Sequence, residues 1–345
     1  MPTDARADLD SARLPAATGP RSSVQELRTA YLDLLKLCLT DLAGTSTTSV
    51  GALPDGRVMA RELHGDGRRL RSAGMDWPLH GLTMVGLGRL DDLQACIETV
   101  VYDGVDGDVI EAGAWRGGAS ILMRATLDTL ADGRTVYVAD SFEGFAGEQS
   151  DADAVALSSF DFLAAPLDEV RESFRRLGCE TGVEFVPGYF DQTLRTLRGH
   201  SWAIVRLDAD TYEATREALA CLYPGLATGG YLIVDDYGSF EGCRRAVDEF
   251  RAEHGITEPI ERVDFTCSRW RRTSGAPIDP APPRASAPSG SRARPPRDVH
   301  VPTARELELE NELAELRARL HAAEAALGGG LRARVRAALH RAVRR

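Results

Sequence analysis

The sequence has no paired cysteines: Cys38, Cys96, Cys179, Cys221, Cys243 and Cys267 are dispersed and form no C-x-x-C. That spacing excludes a disulfide framework and a cysteine zinc site, and it suits a reducing compartment. No stretch of about 18 apolar residues occurs, so a membrane-spanning helix is not expected. The opening MPTDARADLDSARLPAATGPR has no apolar signal core, which predicts a cytoplasmic protein. Positive charge is also short: 41 Lys and Arg stand against 52 Asp and Glu, a net charge of −11, which excludes nucleic acid as the main partner.

What is present is an ordinary globular composition, 43% hydrophobic, enough to bury a core without covalent staples. Residues 1–21 are rich in Ala, Pro and Asp without periodicity and read as disordered. A cap of helices is expected over 22–106. Its first helix starts at Ser23 with Val24, Leu27, Tyr31, Leu34, Leu35, Cys38 and Leu42 at helical spacing, and a second covers roughly 79–103. Residues 44–75, rich in Gly and Arg, are left open.

From 107 to 272 short apolar runs alternate with amphipathic stretches. The runs are DVIEAG (108–113), TVYVAD (135–140), VEFVPG (183–188), WAIVRLD (202–208) and GGYLIVDD (229–236). Helices are expected at about 118–131, 167–177, 211–223 and 241–254. This alternation predicts a parallel, doubly wound α/β sheet. The run at 260–272 reads as one further strand at an antiparallel edge.

Residues 273–302 are a proline-rich linker. Beyond it, in 303–345, Leu309, Leu313, Leu316, Leu320 and Leu327 keep a heptad, with Ala323 filling the gap. The pattern fits a short coiled coil or an amphipathic helix packed on its own body. Arg332 to Arg345 holds six arginines and no acid. A solvated tail is the plainer reading of that end, and a helix on an anionic membrane surface the alternative.

Three signals carry chemistry. Glu111-Ala-Gly113-Ala-Trp115-Arg-Gly117-Gly118 follows a buried strand and opens a helix, where glycines let the backbone turn and approach a ligand. The acid before the loop would repel a pyrophosphate and suits the amine of a methionine moiety, favouring S-adenosylmethionine over a dinucleotide. One strand later Asp140 stands where an acid takes a ribose hydroxyl pair or caps a helix. Finally Asp208, Asp210, Asp235 and Asp236 end two neighbouring runs, so Asp208, Asp235 and Asp236 crowd one crevice. Crowded carboxylates stay ionised only beside a cation, and hard oxygen ligands favour Mg²⁺, with Mn²⁺ or Ca²⁺ as alternatives.

These residues resemble the macrocin O-methyltransferases, which methylate deoxysugar hydroxyls. The matching stretches run from YLDLLKLCLTDL (31–42) through DWPLHGLTMVGLGRLDDLQ (76–94), DVIEAGAWRGGASILMRA (108–125) and VADSFEGF (138–145). They continue with VRLDADTYEATREALACLYPGLATGGYLIVDDYG (205–238) and CRRAVDEFRAEHGITEPIE (243–261). The resemblance implies a class I methyltransferase: a Rossmann-like, seven-stranded sheet with its last strand antiparallel, flanking helices and an N-terminal helical cap that makes subunit contacts in a homo-oligomer. The helical tail matches no part of that family.

By the same resemblance Met84, Glu111, Gly113, Trp115, Asp140, Ser141 and Phe142 line the S-adenosylmethionine site, with Gly188 near the adenine. Asp208, Asp235 and Asp236 become the ligands of Mg²⁺. The acceptor is a hydroxyl of a small molecule or glycan. Catechol-type relatives place a lysine three positions after the first metal aspartate. Here that position is Thr211, which leaves Asp208 or Asp210 as the base, with Asp208 acting as ligand and base together. The segment 146–166 is shorter than the lid of the family. Two other readings exist: a glycosyltransferase using Asp208-x-Asp210, which leaves the glycine loop unexplained, and a scaffold acting through the coiled coil, which leaves the aspartates without a purpose.

Overall fold

The computed structural model describes residues 23–52, 58–145, 161–275 and 278. The expectations for 1–21, for most of the lid segment, for nearly all of the linker, and for the heptads and basic end lie outside the described residues.

Helix α1 (Val24–Leu39) begins at a reciprocal cap. Ser23 Oγ accepts the Glu26 amide at 3.2 Å, and Glu26 Oε2 accepts the Ser23 amide at 2.6 Å. Its buried side is Leu32, Leu35, Lys36 and Leu39, whereas Val24, Leu27, Tyr31 and Leu34 of the apolar pattern face outward. The open stretch that follows forms β1 (Thr47–Ala52), β2 (Val58–Leu63), α2 (Arg68–Ala73) and a two-residue β3 (Trp77–Pro78). Strand β1 pairs antiparallel with β2 and with β3, so the cap holds a small sheet beside its helices. The expected helix from 79 starts only at Leu87, as α3 (Leu87–Tyr102). The preceding turn is held by close contacts at glycine, since a Cβ on Gly86 would lie 2.5 Å from the Ala73 carbonyl carbon.

The alternating pattern then folds as expected. It gives β4 (Asp108–Ala112), α4 (Gly118–Thr129), β5 (Val136–Asp140), α5 (Leu167–Arg176), β6 (Val183–Pro187), α6 (Phe190–Thr193) and β7 (Trp202–Leu207). After these come α7 (Tyr212–Leu222), β8 (Leu226–Val234), α8 (Glu241–His254), β9 (Glu261–Arg262) and β10 (Ser268–Arg271). The sheet order is β6-β5-β4-β7-β8-β10-β9, with the first five strands parallel and β10 antiparallel to β8. This is the seven-stranded arrangement that the resemblance implies. One detail differs: the single edge strand expected at 260–272 is two strands, and β10 lies inside the sheet with β9 at the edge. The cause is a turn in which Asp264 Oδ1 accepts the amides of Thr266 (2.9 Å) and Cys267 (2.8 Å) and folds the chain back.

Alternation along the strands splits the core in two. Val109, Ile204 and Ile233 pack with α3 and α4, while Ile110, Val205 and Leu232 pack with α7 and α8. Glu111 and Arg206 keep the parity of the first set, so both charges are directed into the side covered by α3 and α4. Among the described residues no helix is long and apolar enough to cross a membrane.

Candidate active site

The carboxyl ends of β4, β5, β7 and β8 are locked in step by their ladder bonds. The Gly113 amide donates to Ala139 O (2.8 Å), that of Asp208 to Ala112 O (2.9 Å), and that of Asp235 to Leu207 O (2.8 Å). The loop after β4 therefore stands beside the aspartates after β7 and β8. Gly113 has φ +97°, and a Cβ there would sit 1.8 Å from the Asp208 carbonyl oxygen. Only glycine lets the two strand ends approach so closely. Gly113→Ala is expected to cost about 3 kcal/mol or more and to abolish S-adenosylhomocysteine binding, whereas Gly133→Ala, with open space at its Cβ, is expected to be near neutral. Urea unfolding and calorimetric titration read both, and a stable, ligand-binding Gly113→Ala would refute the close approach.

The rest of the loop is organised by Asp140. Its Oδ2 accepts the amides of Ala114 (2.8 Å) and Trp115 (2.9 Å), and its Oδ1 accepts that of Phe142 (2.7 Å). Burial raises the Asp140 carboxyl above its ordinary range, against the pull of these amides. Trp115 and Phe142 both hold left-handed backbone, with φ of +49° and +58°. Ser141 Oγ donates to Gly144 O at 2.7 Å and accepts the Glu143 amide, closing the turn after β5. Trp115 Nε1 donates to Phe162 O at 3.2 Å, tying the loop to the chain that returns after the lid segment. The Gly118 amide donates to Leu82 O at 2.9 Å, which docks the turn carrying Met84 on the start of α4. Gly188, with φ +128°, follows β6, and its amide donates to Asp140 O at 2.9 Å. The loop residues expected from sequence thus gather at the carboxyl ends of neighbouring strands.

Glu111 is the exception, because its side chain turns into the core. It is 1% exposed; Oε1 accepts from Arg206 at 2.5 Å, and Oε2 accepts from Ser120 Oγ. Burial pushes the Glu111 carboxyl up to about 7. Arg206, 2% exposed, also donates to Asp208 Oδ2 (2.9 Å) and to Asp235 Oδ1 (2.5 Å). The other oxygen of Asp235 accepts from Arg89 of α3, which also pairs with Asp264 at 3.1 Å. The sequence shows Arg206 as a charge inside the apolar run WAIVRLD without naming its partners. It offered no sign of Arg89, Ser120 or Asp264, whose place depends on how the cap is folded over the sheet.

The carboxylate oxygens of Asp208, Asp210 and Asp236 lie within 4.8 Å of one another. The Asp210 amide donates to Asp236 Oδ2 at 3.2 Å, with Asp210 itself in left-handed backbone. Asp235 stands outside this convergence, engaged by the two arginines. Desolvation and the neighbouring acids push the Asp236 carboxyl well up, and burial and Asp235 push up that of Asp208. Thr211, at the position where a lysine base is absent, caps α7 by accepting the Ala214 amide on its Oγ1.

A family model described as macrocin-O-methyltransferase (TylF) matches residues 28–272. The chain belongs to the TylF macrocin-O-methyltransferase family. It is accordingly an S-adenosylmethionine-dependent O-methyltransferase. Among TylF relatives, the 8-demethyl-8-(2,3-dimethoxy-alpha-L-rhamnosyl)-tetracenomycin-C 4'-O-methyltransferase of Streptomyces olivaceus is 44% identical, covering 73% of this chain and 96% of that protein. The mycinamicin III 3''-O-methyltransferase of Micromonospora griseorubida is 38% identical over 71% of this chain and 96% of its own length. The solved structure of the O-methyltransferase NovP superposes with a TM-score of 0.64 at 37% identity, covering 72% of this chain and all of that one. In this TylF member the glycine loop lies between β4 and α4, with the Asp140 carboxylate beneath it.

Proposed function

We propose that this enzyme methylates a hydroxyl of a sugar moiety on a glycosylated natural product, at a centre that holds Mg²⁺. The convergence of Asp208, Asp210 and Asp236 beside the glycine loop carries the reading. Support for the acceptor comes from relatives whose names specify methylation of a rhamnosyl-bearing tetracenomycin and of mycinamicin III.

The donor set fits a hard cation. The oxygens are crowded, with Asp236 buried and Asp208 and Asp210 half-buried, and neighbouring acids push the carboxyls of Asp208 and Asp236 upward, a penalty that a bound dication would remove. Asp208 and Asp236, which already converge, are proposed ligands. Asp235 completes the set, because each of its arginine-bound oxygens keeps a further lone pair. When bound, Mg²⁺ would lower the pKa of a sugar hydroxyl and orient it. Asp210, the third converging carboxylate, is the proposed acceptor of the hydroxyl proton, a contribution of about 10²–10⁴-fold. Asp208, the base favoured by sequence alone, is the weaker candidate, since Arg206 already takes one of its oxygens. Met84, Gly113, Trp115, Asp140, Ser141, Phe142 and Gly188 are proposed to line the methyl donor, with Glu111 supporting them from beneath. Alignment of donor and acceptor by this wall can be worth up to about 7–11 kcal/mol.

Chelation tests the metal. Treatment with EDTA is expected to abolish methyl transfer, and Mg²⁺ to restore it, with S-adenosylhomocysteine binding retained throughout. Full turnover after exhaustive chelation would remove the metal from the mechanism and leave the methyltransferase assignment intact.

A further inference from the structure

Of the two described arginines that hold Asp235, Arg206 comes from the sheet and Arg89 from the cap. It sits near the start of α3, 8% exposed, and its guanidinium reaches across to Asp235 at the end of β8. Its Nη2 donates to Gly74 O at 3.1 Å, and its Nε faces Asp264 at 3.1 Å in the turn before β10. The ring of Phe265 stands 5.9 Å from its Cζ.

The cap is built around this side chain. A Cβ on Gly74 would meet Arg89 Nη2 at 2.3 Å and the Gly86 amide at 2.5 Å, so the turn closing α2 can carry no side chain where the guanidinium passes. Gly74 has φ +65°, which glycine adopts without strain. Arg71, fully buried, fastens the same turn by donating to Met84 O (2.5 Å) and to Asp76 O (3.1 Å). One corner of the cap thus places Arg89 on Asp235 and Met84 beside the glycine loop.

We propose that Arg89 is a positioning residue for methyl transfer: it fixes the Asp235 carboxylate from the side opposite Arg206 and, as a fixed cation, limits how tightly the site holds its metal. The proposal rests on the reading that Asp235 is a metal ligand. Gripped at both oxygens, Asp235 loses its side-chain freedom, and an error of about 1 Å in such a group can cost about 10²-fold in rate. The same arginine repels an incoming dication through a low-dielectric interior. That repulsion outweighs the roughly 10–100-fold of metal affinity usually lost with an outer partner.

The test compares the full-length wild type with Arg89→Met and Arg89→Lys, using steady-state kinetics and calorimetric titration with Mn²⁺. Arg89→Met is expected to bind Mn²⁺ about 10-fold tighter, yet to lose about 30-fold or more in kcat with the S-adenosylmethionine KM within about threefold. A purely structural role would weaken both together. Arg89→Lys, which keeps the charge but not the fork, is expected to hold Mn²⁺ within about threefold of wild type and to lose about 10-fold in kcat. It decides the matter if Arg89→Met fails to fold. Unchanged kcat in a folded variant, or weaker Mn²⁺ binding in Arg89→Met, overturns the proposal. A wild type that binds no Mn²⁺ instead refutes the metal reading and takes the proposal with it.

Discussion

Asp208→Asn is expected to lower kcat by about 10³-fold while S-adenosylhomocysteine still binds. Asparagine keeps the shape of the side chain and removes its charge, so one of the converging carboxylates is lost from the set that would hold the cation. The fold should survive, because Arg206 keeps Glu111 and Asp235 as partners. The cofactor loop should survive as well: it is ordered by Asp140 and by the bond from the Asp208 amide to Ala112 O, a backbone contact that the substitution leaves in place. Turnover and ligand titration on one preparation check both halves. A kcat within about tenfold of wild type would remove Asp208 from the reaction centre, and loss of S-adenosylhomocysteine binding would show that its role is structural.

Arg206→Met should act on stability, by about 3–5 kcal/mol. The arginine is the shared partner of Glu111, Asp208 and Asp235, and methionine of similar length would leave three carboxylates facing one another in the interior. The loss should be larger at about pH 8 than at about pH 5. The sign follows from Glu111: burial has already pushed its carboxyl up to about 7, and removing Arg206 pushes it higher. A carboxyl whose folded pKa is raised contributes stability at low pH and loses it as pH rises through that value. The variant should therefore be rescued partly by acid, whereas acid normally harms a salt-bridged protein. Urea titrations at the two pH values test this, and a loss below about 1 kcal/mol or a pH dependence of opposite sign would contradict it.

Much of the sheet was legible because its strands are continuous apolar runs closed by glycine or aspartate. The parallel order followed from strand–helix alternation, and α8 and the strand ends at Asp140 and Ala112 fell within a residue or two of expectation. The cap was less legible. In β1 the apolar residues are sparse, and the pairing that makes β1 and β2 strands is between segments 6 to 16 residues apart along the chain rather than within either. The outward stripe of α1 shows the same limit, since periodicity reports that a helix has an apolar face but not which face its neighbours, here α3 and α4, will cover.

For the site, local pattern sufficed to place the glycine loop and the aspartates together, because strand ends in a parallel sheet share one edge whatever the details. Which oxygens meet was a matter of side-chain geometry at distances of a few ångström. Asp210 joins Asp208 and Asp236 through a left-handed turn that the sequence does not announce, while Asp235 is drawn aside by two arginines. Glu111, expected at the cofactor, turns inward because strand parity aims it at Arg206. Arg89 lies 146 positions from Asp235 along the chain, and their contact exists only because the cap folds back over the sheet. Residue type and order are enough to specify a strand and its terminal acid; the pairing of buried charges depends on every element packed around them, and it emerges only when the chain has closed.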